Sequence, residues 1–214
     1  MSFIRTVEPA EARGEVAAMY RHQQRAWGYV PNYAKVFSHR PEVMSRWAAL
    51  LAEVKRPLDH RRLEMVTFVA AHQLGNSACS LAHGRVLREF FADDEIIAIA
   101  EGRDNAFLPA PEQVMLRFAR QVARNAAAIT TADIGELQAL GFTDAEIFDI
   151  AAAVAARAFF TKLLDAMGVL PDAPFAELPD PLRHALSVGR PIDRAPCAAL
   201  QTGREMNLGV HCAR

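Results

Sequence analysis

Apolar residues recur every three or four positions along this chain, and strict alternation never lasts beyond a few residues. Helix is therefore the predicted element almost throughout. The segment after Pro9, "AEARGEVAAMYRHQQRAWG", reads as a first helix opened by proline and closed by Gly28. A short helix fits between Pro31 and Pro41. In "PEVMSRWAALLAEVKR", Val43, Trp47, Leu50, Leu51 and Val54 fall on one stripe, and Pro57 ends it. "LDHRRLEMVTFVAAHQLG" follows, with Asp59 as its N-cap and Gly75 just past its end. Asn76 then caps a helix predicted to run to about Phe91.

Beyond it, "DDEIIAIAEG" is a short helix with an acidic start, and residues 103–111 form a loop holding Pro109 and Pro111. "EQVMLRFARQVARNAAA" and "TADIGELQALG" give two more helices. The longest one opens on a capping box from Thr143 to Glu146 and continues through "AEIFDIAAAVAARAFFTKLLDAMG". Its middle is apolar nearly all round, which places it at the centre of a bundle or in a subunit interface. After Gly168 the pattern fails: six of the twelve prolines lie between Pro171 and Pro196, and periodicity returns only briefly at "LRHALSV". The expected architecture is all-α, a bundle of about seven to nine helices over residues 1–170. A Pro-rich irregular arm, residues 171–214, wraps the domain or a neighbouring subunit, or stays partly disordered.

Composition narrows the function classes. With 51% hydrophobic and 23% charged residues over 214 positions, the chain has the profile of a soluble globular domain. A net charge of −1 gives no footprint for nucleic acid or an anionic membrane. The longest apolar run, around Ile150–Phe160, contains Arg157 and is flanked by Asp149 and Lys162, too short and too charged to span a bilayer. The first residues, "MSFIRTVEPAEARGE", lack the apolar stretch of a secretory signal. Cys79, Cys197 and Cys212 are too few and too scattered for a disulfide framework. A cytoplasmic, reducing compartment is expected, where a cysteine is free or reactive. No Gly-rich phosphate loop or dinucleotide fingerprint occurs, and Cys79, His83 and His72 lack a second half-site at zinc-finger spacing. Neither a cofactor nor a metal is expected. Arg61, Arg62, Arg85 and Arg88 read as solvated faces.

The stretch with chemistry is "GNSACSLAHG", residues 75–84. With Asn76 as cap, Cys79 occupies the third helical position, where unpaired N–H groups and the positive dipole end favour a thiolate. His83 follows at i+4 on the same face, within reach of the sulfur, and can take its proton. Glu64 is the only acidic residue between Asp59 and Glu89, set inside the apolar "LEMVTFVAA". A carboxylate on the core side of that helix is costly without a partner. A one- or two-residue turn packs the two helices against each other and can bring Glu64 to the Cys79–His83 face. The proposed unit is a relay in which Glu64 polarises His83 or Cys79 and the thiol does redox or nucleophilic chemistry. Alternatives stand beside it: Cys79 as a small buried hydrophobe, and Glu64 pointing to solvent beside Arg61 and Arg62.

Three stretches, "YVPNYAKVFSHRPEVMSRW", "LDHRRLEMV" and "ACSLAHGRVL", resemble the alkylhydroperoxidase/carboxymuconolactone decarboxylase-like family. The resemblance extends over residues 10–170, including the closing "FFTKLLDAMGV". Redox members of that family carry a glutamate, a Cys-x-x-Cys pair, and a histidine four residues after the second cysteine. Glu64, Cys79 and His83 fit those positions, but Asn76 stands where the first cysteine would be. The resemblance implies a homo-oligomeric antioxidant oxidoreductase, peroxidase-like or disulfide-exchanging, of the peroxiredoxin-activity kind. It would act on a small hydroperoxide or disulfide, with an external thiol reductant. The homo-oligomer would be a dimer, trimer or hexamer. An oxidised Cys79 would then need a resolving thiol from elsewhere: Cys212, Cys197, another subunit or a small molecule. Two other readings remain. One is a carboxymuconolactone decarboxylase-type lyase using Glu64 and His83 as acid and base, and the other is a non-catalytic helical oligomer.

Overall fold

Short polar side chains start the helices that matter most. Asp59 accepts from the Arg62 amide, Asn76 from the Cys79 amide, and Thr143 from the Glu146 amide, each satisfying an N–H that the helix cannot use. The computed structural model describes residues 2–103 and 106–194. Among them are ten α-helices and no strand. They are α1 (Gly14–Trp27), α2 (Asn32–Val36), α3 (Pro41–Lys55), α4 (His60–Gln73), α5 (Ser77–Leu87), α6 (Asp93–Ala100), α7 (Ala110–Asn125), α8 (Thr131–Ala139), α9 (Asp144–Ala166) and α10 (Asp180–Leu186). The class is all-α, as the periodicity requires.

The tenth helix exceeds the expected number because the prolines near it start a helix rather than break one. Pro179 caps α10 and Pro181 sits in its first turn, where no amide donor is needed. Leu182 and Leu186, one turn apart, then bury in the main core with Phe175 and Leu178. The first helix also differs. Pro9–Glu11 form only a 3-10 turn, and the backbone is extended at Ala12 and Arg13 before α1 begins. Tyr20 explains the break: its hydroxyl donates to the Val7 carbonyl at 2.7 Å and holds the preceding segment across α1. α5 stops at Leu87 rather than near Phe91, because the chain turns there and sets Phe91 against Phe107.

α4 is the central element. Every residue from Leu63 to Ala71 is buried, and α4 packs against α5, α7 and α9. Side chains such as Met65 and Phe68, with no exposed surface, contribute about 1.5–3 kcal/mol each. α9 gives one face to this core, while Phe148 and Phe159 stand exposed on the other. On α3 the buried residues are Met44 and Leu51, whereas Val43 and Leu50 are exposed. The stripe read from spacing is rotated because Trp47 stacks flat on Phe160 of α9, ring centroids 4.3 Å apart, and turns Met44 and Leu51 inward. Arg61 and Arg85 are likewise more than solvated faces. Arg61 pairs with buried Glu112, and Arg85 lies over the Trp27 and Phe175 rings.

The turn between α4 and α5 is tight, with Gly75 at φ 75°. The segment after α10 lies against it: the Gly189 amide donates to Ser77 Oγ at 2.7 Å, and Arg190 donates to the Asp165 carbonyl at 3.0 Å. A Cβ on Gly189 would stand 2.1 Å from the Gly75 carbonyl oxygen, a backbone atom with nowhere to go. Gly189→Ala should therefore lift this segment off the start of α5 and destabilise the fold by about 1–3 kcal/mol, read as a lowered melting temperature. An unchanged melting temperature would show that the contact is not closed in solution.

Candidate active site

Two caps and one turn set the geometry. Asn76 Oδ1 accepts from the Cys79 amide at 2.8 Å and fixes the first turn of α5, with Cys79 packed in a cluster that includes Ala71 of α4. Folding α5 back on α4 brings His83 to Glu64, whose Oε2 is 2.6 Å from His83 Nδ1. Both are sealed from solvent, at 1% and 3% exposure. Glu64 therefore does not point to solvent.

Burial alone would raise the Glu64 carboxyl. His83 beside it, with Lys55 and Arg157 near, overcomes that and holds it down to about 2. Burial lowers His83 below its ordinary range; Glu64 pulls it back up, while Arg157 and Lys55 push it further down. The arrangement that satisfies both is an ionised Glu64 accepting the Nδ1–H of a neutral imidazole. The lone pair of that ring is then on Nε2.

Cys79, 5% exposed, and His83 line the same cavity of about 590 Å³, and so does Arg157 of α9. Arg157 Nη1 donates to Cys79 Sγ at 3.6 Å. Its Nε is buried without a hydrogen-bond partner. The same guanidinium lies near enough to Glu64 to help balance its charge. The rest of the wall is largely apolar, with Trp27, Trp47, Phe160, Met19, Met44 and Leu51. The volume is that of a small-molecule site.

Glu64 and His83 are thus in hydrogen-bond contact, and His83 shares a cavity wall with Cys79. Cys197 and Cys212 lie outside the described residues. Among the described residues no group of three His, Cys, Asp or Glu side chains is placed to hold a metal. His72 is elsewhere, its Nε2 3.2 Å from the Ala185 carbonyl. Arg157 is the residue that sequence reasoning passed over. Its only signal was being a lone charge in "IAAAVAARAFF". A buried charge in an apolar run needs a partner, and the partner proves to be the site itself.

No family model matches the chain, and neither does any curated protein. Solved structures do. An uncharacterized peroxidase-related protein from Ralstonia eutropha JMP134, described as an alkylhydroperoxidase AhpD core, superposes with a TM-score of 0.71 at 25% identity, over 81% of this chain and 94% of that one. The chain has an alkylhydroperoxidase D-like fold. A second peroxidase-related protein, from Silicibacter sp. TM1040, shares the alkylhydroperoxidase D-like frame at a TM-score of 0.66 and 23% identity, over 82% of this chain and 91% of its own. The debrominase Bmp8, solved as a C82A variant with 2,3,4-tribromopyrrole, has the same fold at a TM-score of 0.68 and 16% identity, over 85% of this chain and 100% of its own. Uncharacterized peroxidase-related proteins and a debrominase thus share this fold. No helix among the described residues is long and apolar enough to cross a membrane.

The Glu64–His83 pair makes a pH prediction. The folded carboxyl titrates at about 2 and the unfolded one at 4.5, so its contribution is complete above pH 4.5 and is lost as pH falls towards 2. Glu64→Gln should melt below the parent at pH 7, by about 1–3 kcal/mol. That difference should close between pH 4.5 and 2. A difference that stays constant over the window would mean that Glu64 ionisation is not linked to folding.

Proposed function

We propose that the chain is a thiol-dependent antioxidant oxidoreductase in which Cys79 reduces a hydroperoxide or disulfide. The observation that carries this reading is the Cys79 sulfur lining a ligand-sized cavity, with a guanidinium 3.6 Å away and a carboxylate-oriented imidazole in the same wall. His83 Nε2 takes the thiol proton, and Arg157 holds the resulting thiolate. The sulfur attacks the terminal oxygen of a hydroperoxide, the O–O bond breaks, and the departing alkoxide recovers the proton from His83. Cys79 becomes a sulfenic acid and the substrate an alcohol, a two-electron exchange. One external thiol converts the sulfenic acid to a mixed disulfide with loss of water, and a second thiol releases Cys79. Glu64 is a positioning residue, because it acts through His83.

Asn76 means that the resolving thiol comes from outside the motif. Three residues before Cys79, where a neighbour could resolve it, stands an amide that caps the helix instead. Cys212 or Cys197 would supply the resolving thiol from within the chain, and a small thiol would supply it from outside.

A second reading is favoured by Arg157 alone: acid–base chemistry on a small carboxylate-bearing lactone, with Glu64 and His83 in the roles of acid and base and Cys79 incidental. The two readings separate on one comparison. Cys79→Ser should lower hydroperoxide turnover with an external thiol at least a hundredfold, His83→Ala should lower it by about 10²–10⁴, and mass spectrometry of the peroxide-treated parent should find oxygen or a thiol adduct on Cys79. Activity that survives Cys79→Ser and fails with His83→Ala would replace the oxidoreductase by the lyase.

A further inference from the structure

The Arg157 guanidinium has more donors than the described structure uses. Its five N–H groups sit in a residue that is 3% exposed, at the inner end of an apolar cavity. Nη1 is spent on Cys79 Sγ, a weak acceptor, while Nε is buried with no acceptor at all. The carboxylate nearest in the site, Glu64, is engaged with His83. An arginine with an unfilled donor in such surroundings is costly unless a ligand completes it. The edge formed by Nε and Nη2 is the fork that a carboxylate fills with two parallel hydrogen bonds.

From this we infer that the cavity binds an organic acid with an aromatic or similarly apolar body. The carboxylate docks on the Nε edge of Arg157, and the body lies against Trp27, Trp47, Phe160 and Met44. Lys55, also in the cavity wall, adds a second positive charge for the same anion. Glu15 and Glu42 also border the cavity on its exposed rim, and buried Asp172 borders it too, its Oδ1 accepting from the Asn32 amide at 2.8 Å. Nη1 stays with the sulfur, so the acid is held beside Cys79 without replacing it. This names the substrate class of the proposed oxidoreductase, an acid carrying the hydroperoxide or disulfide, and for its chemistry rests on that reading. The binding itself does not.

The test separates the two. Both tryptophans of the chain, Trp27 and Trp47, line the cavity, so their fluorescence reports occupancy. The full chain carrying Cys79→Ser is titrated with 3-phenylpropanoate and with its neutral isostere 3-phenylpropanamide. The acid should bind at least tenfold tighter, and Arg157→Lys, which keeps the charge but loses the fork, should remove most of that preference. Equal binding of the two probes, or binding of neither, overturns the acid site, and this comparison needs no Arg157 variant to fold. An acid preference that Arg157→Lys leaves intact in a folded chain, with an unchanged melting temperature, also overturns it. Hydroperoxide turnover by the parent chain is measured alongside. Selective acid binding without turnover keeps this site and removes the oxidoreductase, whereas turnover without acid preference does the reverse.

Discussion

A carboxylate buried in the middle of the central helix constrains everything around it. Glu64 sits between Leu63 and Met65, inside the stretch of α4 that is sealed on all sides. An ionised group there is stable only if a partner stands at hydrogen-bond distance and its charge is answered nearby. His83 meets the first demand at 2.6 Å, and Arg157 and Lys55 meet the second. α5 must therefore fold back on α4 in one register, and α9 must present its single arginine to the same point. Shifting either helix by a turn would leave a bare charge in the core. The pair thus specifies the packing of three helices while also orienting the His83 ring.

In the proposed mechanism the Cys79 proton moves to His83, and the charges around the pair bear on that step. With the proton on His83 Nε2, the cluster holds two anions, Glu64 and the Cys79 thiolate, and two cations, His83 and Arg157. With the proton on sulfur it holds one of each. The proton moves within the cluster, so its net charge is the same in both states. Aromatic side chains surround the cavity. Phe160 is their hub, stacked on Trp47 and Phe37 and edge-on to Tyr33, and it lies on α9 only three residues from Arg157.

Much of this was legible in the sequence because it is local. The caps at Asp59, Asn76 and Thr143 are short-range chemistry. The four-residue step from Cys79 to His83 is helix geometry, and Glu64 betrayed itself as an acid in an apolar run. What spacing could not convey is contact between distant residues. Arg157 lies 78 positions from Cys79, and within its own helix it looked like an interruption. The α3 stripe was misjudged for the same reason: the face it buries is chosen by Trp47 stacking on Phe160, more than a hundred residues away. The Pro-rich segment was misleading for a different reason, since the positions of Pro179 and Pro181 at a helix start matter more than their number.

Position 76 gains a new meaning in this light. In a Cys-x-x-Cys site that residue is a second thiol, and its job is redox. Asn76 instead uses both ends of its amide: Oδ1 caps the Cys79 amide, and Nδ2 donates to Asp165 Oδ1 at 2.9 Å. Burial raises the Asp165 carboxyl, and Asn76 and the nearby Arg190 draw it back down. Asp165 lies on α9, two turns beyond Arg157. One side chain therefore ties the first turn of α5, which carries the sulfur, to the helix that carries the guanidinium. A cysteine at 76 could make neither bond as well, because its sulfur is a weak acceptor and a weak donor. The asparagine therefore helps to fix the placing of Cys79 relative to Arg157. In the proposed oxidoreductase that leaves resolution of Cys79 to a thiol from outside this motif.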